Sequence, residues 1–121
     1  MANTFKVVTF AAEPNAAGTE YVVYTTAGST TTIILGLLLC NIHTSQVTAT
    51  VRLISDTSKT GATGNADNGT SVLVKDIPIP AGSSVEIMAG NKIVLETTDQ
   101  IDIDCSVADK LSGTMSIMEI T

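Results

Sequence analysis

The stretch from Val72 to Glu96 constrains the fold more than any other part of the chain. Val72 and Val74 alternate with Leu73 and Lys75. Pro78 and Pro80 follow, and proline removes a ladder donor, so a strand is expected to end there. Ala81, Gly82 and Ser83 supply a turn, after which Val85 and Ile87 alternate with Glu86 and Met88. Ala89, Gly90 and Asn91 supply another, and Ile93 and Leu95 resume an apolar face. Apolar alternation cut this tightly by turn residues marks antiparallel β structure.

The same pattern runs through the rest of the sequence. Strands are expected over Phe5 to Phe10, Glu20 to Thr25 and Thr30 to Ile42, the last bulged at Gly36. Val47, Ala49, Val51 and Leu53 alternate with Thr48, Thr50 and Arg52. Ile101, Ile103, Cys105 and Val107 face one way, and Asp102, Asp104 and Ser106 the other. A last strand covers Thr114 to Thr121. Turns recur about every 8–12 residues, the spacing of a sandwich or barrel. The expected fold is all-β: a single antiparallel β-sandwich of jelly-roll or Ig-like type, with eight or nine strands in one domain over residues 1–121. The expected core is Val51, Leu53, Val85, Ile87, Leu95, Ile101, Ile103, Cys105 and Ile117, with Phe5, Phe10, Tyr21 and Tyr24 as aromatic fillers.

Composition limits function. Of 121 residues, 44% are hydrophobic and only 15% charged, and there is no Trp. A chain this long buries roughly two-thirds of its unfolded surface and needs no staples. The formal net charge of −6 opposes nucleic acid and anionic membranes as partners. The apolar run Ile33 to Ile42 is too short for a membrane helix and reads as a strand buried on both faces. Met1 to Thr4 is polar and passes straight into a strand pattern, so no leader is expected.

No constellation points to catalysis. His43 is the one histidine and falls in a turn. No Gly-x-Ser-x-Gly elbow is present. Cys40 and Cys105 read as two buried thiols, and only geometry can decide a disulfide. Asp99, Asp102, Asp104 and Asp109 are the densest acidic group, but their spacing fits no cation loop and a solvated strand face is expected. Asn65, Asp67, Asn68 and Gly69 resemble a calcium loop only faintly and lack its spacing. No catalytic, cofactor or metal residue is assigned. Asp56 to Thr70 is the one long segment without apolar periodicity, and it is read as an extended interaction loop. Lys59, Asn65, Asp67 and Asn68 are its candidate contacts.

Several pieces occur together in a distinctive order. They are Tyr24-Thr-Thr-Ala-Gly-Ser-Thr-Thr-Thr-Ile-Ile-Leu-Gly-Leu, Val47-Thr-Ala-Thr-Val-Arg-Leu, Lys75-Asp-Ile-Pro-Ile-Pro-Ala-Gly-Ser-Ser-Val-Glu, Lys92-Ile-Val-Leu-Glu and Ser116-Ile-Met-Glu-Ile. In this order, over roughly Tyr21 to Thr121, the chain resembles small virion structural proteins of tailed bacteriophages. The chain departs from that pattern at Thr97, Thr98 and Asp99, where a tighter turn is usual. The resemblance implies a non-enzymatic virion protein: a capsid decoration or cement protein on the major capsid lattice, or a tail, baseplate or fibre component. It implies a homo-oligomer, with a trimer favoured, and a place on the virion assembled in the host cytoplasm. A carbohydrate-binding sandwich is the alternative from another class, and the scarcity of aromatics weighs against it.

Overall fold

The computed structural model describes residues 2–55 and 69–121. The described residues form nine strands and no helix. These are β1 (Asn3–Glu13), β2 (Tyr21–Thr25), β3 (Thr31–Asn41), β4 (Val47–Ser55), β5 (Gly69–Ile79), β6 (Ser84–Glu86), β7 (Ile93–Leu95), β8 (Gln100–Cys105) and β9 (Leu111–Ile120). One sheet runs β1-β9-β3, with β6 and β7 both pairing along the far edge of β3; the other runs β2-β8-β4-β5. All pairings are antiparallel.

The pairing is nested. β4 meets β5, β3 meets β6 and β7, β2 meets β8, and β1 meets β9, with successive pairs falling in alternate sheets. That is one long hairpin rolled into two layers, the jelly-roll solution to packing eight strands around a core. The split pair β6 and β7 together occupy one strand position. The sandwich expected from the alternation is therefore present, and its topology is jelly-roll rather than Ig-like.

The core lies between the sheets. Ile34, Leu37 and Leu39 of β3 and Leu111, Met115 and Ile117 of β9 face Val47, Ala49 and Val51 of β4 and Ile101, Ile103 and Cys105 of β8, all essentially inaccessible. The inward parity of β3 changes from Ile34 to Leu37 because the register shifts between Ile34 and Gly36. An extra residue in one strand exchanges its two faces, so the bulge at Gly36 keeps both halves of β3 on the core. Phe10 closes one end, its ring 5.3 Å from that of Tyr21. Gly113 makes room for it, since a Cβ there would land on the Phe10 ring.

Several expectations need correction. Leu53, Val85 and Ile87 are half-buried. Val85 sits on a three-residue edge strand, where only β3 covers it from the side. Phe5 is 71% exposed. It lies five positions from the inward Phe10, and side chains that alternate with period two cannot both face in at that spacing. The run Ile33 to Ile42 is buried on one face only, with Leu38 and Ile42 exposed. Pro78 does not end its strand but pairs with Thr48. It can do so because β5 is a sheet edge, and no neighbour asks for the missing donor. β5 also starts at Gly69, inside the stretch read as loop. Asp99 and Asp102 are buried rather than solvated. Asp99 folds back, its Oδ2 accepting the Glu96 N–H at 3.0 Å, around a turn in which Thr98 takes φ 71°.

Candidate interaction surface

The outer face of the β1-β9-β3 sheet carries an apolar row. Phe5, Met118, Ile33 and Val94 are direct cross-strand neighbours over β1, β9, β3 and β7. Phe5, Val7 and Val94 are more than half exposed, and Leu38 lies further along the same face. Thr9, Thr114, Ser116 and Ser112 fill much of the remainder. Among the described residues of these rows the charged side chain is Glu86, opposite Leu38. Its Oε1 is turned back to accept the N–H groups of Leu37 and Met88, each at 3.0 Å. A face this poor in charge on a chain of net charge −6 is a surface suited to burial.

The outer face of the second sheet differs. Val22, Asp102, Arg52 and Val72 form its cross-strand row. Arg52 Nη1 lies 2.6 Å from Asp104 Oδ2 and 3.4 Å from Glu20 Oε1. Three carboxylates thus gather around one guanidinium. Asp102 is 2% exposed, and its Oδ1 has no hydrogen-bond partner. Burial pushes its carboxyl above the ordinary carboxylate value, Glu20 adds to the rise, and Arg52 opposes it.

That arrangement fixes a sign. An acid whose folded pKa is raised binds its proton more readily in the native state than in the unfolded chain. Its favourable contribution is complete below the unfolded value of 3.8 and is lost as pH rises through the folded value. Asp102→Asn is therefore expected to be more stable than wild type at pH 7, with the gap closing as pH falls through the raised folded value and gone below 3.8. Urea denaturation across that range measures it. A variant less stable than wild type at pH 7 would mean that attraction to Arg52 outweighs the cost of burial.

A polar clamp joins the two sheets near the chain ends. The Tyr24 hydroxyl of β2 donates to Glu119 Oε2 of β9 at 2.5 Å and lies 2.8 Å from Thr32 Oγ1 of β3. Lys6 Nζ is 2.7 Å from Glu119 Oε1. Burial, then the bond to Glu119, raises the Tyr24 hydroxyl above its usual value. Lys6, then Tyr24, holds the Glu119 carboxyl below its own.

The expected contacts Lys59, Asn65, Asp67 and Asn68 lie outside the described residues. His43 sits in the turn after β3, its backbone N–H donating to Asn41 Oδ1 at 2.8 Å. Cys40 and Cys105 are both free thiols. Cys105 faces the core, whereas Cys40 is half-buried on the outer face opposite Ser112, which corrects its reading as a buried thiol. Among the described residues no group of His, Cys, Asp and Glu side chains is placed to hold a metal ion. A groove of about 180 Å³ between β5 and the β6–β7 segment is lined by Leu73, Ile87, Met88, Asn91 and Ile93. Sequence alone does not reveal the apolar face, because the run Ile33 to Ile42 reads as a strand buried on both faces and Phe5 as a core residue.

No family model and no curated protein matches the sequence. Solved structures do resemble the fold. A chain from the T13 viral particle of IBDV aligns at TM-score 0.52 and 10% identity, over 97% of this chain and 30% of that one. A chain from infectious bursal disease virus strain Gx aligns at TM-score 0.51 and 14% identity, over 96% of this chain and 32% of that one. This chain thus spans about a third of the length of those viral chains. A chain from the pili of Bacillus endospore appendages aligns at TM-score 0.47 and 17% identity, over 99% of this chain and 87% of that one. At these identities the likeness is one of fold: a β-sandwich shared with chains of virus particles.

Proposed function

We propose that this chain is a non-enzymatic structural protein of a virus particle, a decoration or cement protein on the outer surface of a tailed bacteriophage's major capsid lattice. The observation that carries the proposal is a jelly-roll with one sheet face that bears an apolar row and almost no charge, on a strongly acidic chain. Such a face is suited to a protein that works by being buried against others. The motif order over Tyr21 to Thr121 supports the phage assignment, and the fold likeness to viral-particle chains supports only the coarser reading of a structural protein of a virus particle. The protein acts as a homo-oligomer, with a trimer favoured, and belongs to the assembled virion.

Particles made by the genome that encodes this chain, stained and labelled with gold-conjugated antibody against it, test the proposal. Label repeated over the head is the expected result. Label confined to the tail would replace decoration with a tail or baseplate role. Purified particles that take no label would reject the virion assignment.

A further inference from the structure

Strand β1 ends its sheet, and among the described residues no strand pairs with its outer edge. Exposed edges are templates for pairing, so proteins blunt them with proline, bulges, short strands or charged side chains, lysine above all. The other edges here are blunted. β5 carries Pro78, a left-handed Asp76 (φ 49°) and two register irregularities. β2 spans five residues with an irregularity between Val22 and Tyr24. β6 and β7 have three residues each. β1 has no proline, bulge or interruption from Asn3 to Phe10, where its pairing with β9 runs without a break, and its one lysine there, Lys6, is tied to Glu119 at 2.7 Å.

The ladder shows which groups of β1 are open. Ala2 and Thr121 exchange both backbone bonds, Ala2 N–H to Thr121 O and Thr121 N–H to Ala2 O, each 3.0 Å. In an antiparallel pair such doubly bonded positions alternate along the strand. Thr4, Lys6, Val8 and Phe10 therefore bond to β9, while the N–H and C=O groups of Asn3, Phe5, Val7 and Thr9 point away from it. The side chains of those four residues stand on the apolar outer face, opposite Ile120, Met118, Ser116 and Thr114.

We infer that this edge pairs antiparallel with β1 of a second copy, Phe5 of each opposite Val7 of the other and Asn3 opposite Thr9. The four open residues are symmetric about Lys6, so this register satisfies all of them at once. Moving the two-fold axis to Phe5 sets Thr9 opposite Met1, outside the described residues, and moving it to Val7 pairs Asn3 with Ala11, inside the irregular stretch between Phe10 and Glu13. The chosen register makes four doubly bonded pairs, about eight backbone bonds. It sets an aromatic against a β-branched side chain, a favourable cross-strand pair. It also joins the two apolar rows into one band across both copies. The two Lys6 side chains meet on the other face, where each ammonium is held by its own Glu119 at 2.7 Å. Like charges directly opposite oppose pairing, and the Glu119 carboxylate beside each ammonium offsets that repulsion.

The contact is two-fold and goes beyond the virion reading. A trimer built on another surface would carry three such edges and be linked to its neighbours through them. An edge contact of this length falls below about 1,200 Å² in total, the size of weak and transient interfaces. Pairing should therefore depend on concentration.

Amide hydrogen exchange on the intact protein, read residue by residue by NMR at low and high concentration, tests this. The amides of Phe5, Val7 and Thr9 are expected to gain about tenfold or more protection at high concentration, while Lys6 and Val8 stay protected throughout. Val7→Pro removes an outward N–H and none that bonds to β9, so it should abolish the gain at Phe5 and Thr9 and leave the melting temperature nearly unchanged. If V7P does not fold, wild-type exchange still decides. Fast exchange at Phe5, Val7 and Thr9 at every concentration overturns the inference, even if the chain is oligomeric through another face. Protection that appears only when a different particle protein is added overturns the second copy as occupant.

Discussion

Ile103→Ala is expected to lower unfolding free energy by about 2–5 kcal/mol, the range for removing a fully buried isoleucine. Ile103 is at 0% exposure in the central strand β8, with Tyr21 of β2 on one side and Val51 of β4 on the other. Neighbours held on both sides and across the core cannot collapse into the space, which places the cost in the upper part of the range. For a domain whose whole stability is about 5–15 kcal/mol, that is a large share. Urea unfolding followed by circular dichroism measures it. A loss under about 0.5 kcal/mol, the scale of an ordinary surface change, would show that β8 presents its other face to the core.

Asn41→Ala is expected to cost about 1–3 kcal/mol, because it leaves the buried Ile79 carbonyl without its partner and cuts two further bonds in the turn. Asn41 is inaccessible at the end of β3. Its Nδ2 donates to the carbonyls of Ile79 and Ser45, both at 2.9 Å, and its Oδ1 accepts the His43 N–H. Ile79 ends β5 in the opposite sheet, so one amide ties the two layers together where the chain crosses between them. Asn41→Asp keeps the acceptor and loses both donors, and it should cost at least as much as alanine because it also buries a charge. Thermal melts of the two variants against wild type give the comparison. Melting temperatures within a degree or so of wild type would mean that these groups find other partners.

What the sequence shows and hides follows from the range of each signal. Alternation is local, so the inward residues of β4 and β8 were legible: Val51, Ile101, Ile103 and Cys105 are all buried as expected. The bulge at Gly36 was legible from one glycine in an apolar run. Burial set by neighbouring strands was not. Asp102 occupies the polar face of β8, yet Val22 and Arg52 flank it across the strands and remove it from water. Asn41 gives no local sign of its role, because its partners lie at Ser45 and Ile79. Pro78 misled because its effect depends on whether β5 is an edge, and that is decided by nested pairing over the whole chain. The exposed face of the β1-β9-β3 sheet needed the same information. Only cross-strand register lines up Phe5, Met118, Ile33 and Val94.

The central claim is that this acidic jelly-roll works by covering an assembled particle. Co-sedimentation tests it most directly: purified protein is titrated onto particles of the encoding virus that lack it, and bound protein per particle is measured by quantitative gel or mass spectrometry. The account predicts saturable binding at a fixed ratio to the major capsid protein, weakened when Phe5 and Val94 on the apolar face are replaced by lysine. Protein that stays in the supernatant at every concentration, while remaining folded, would contradict it.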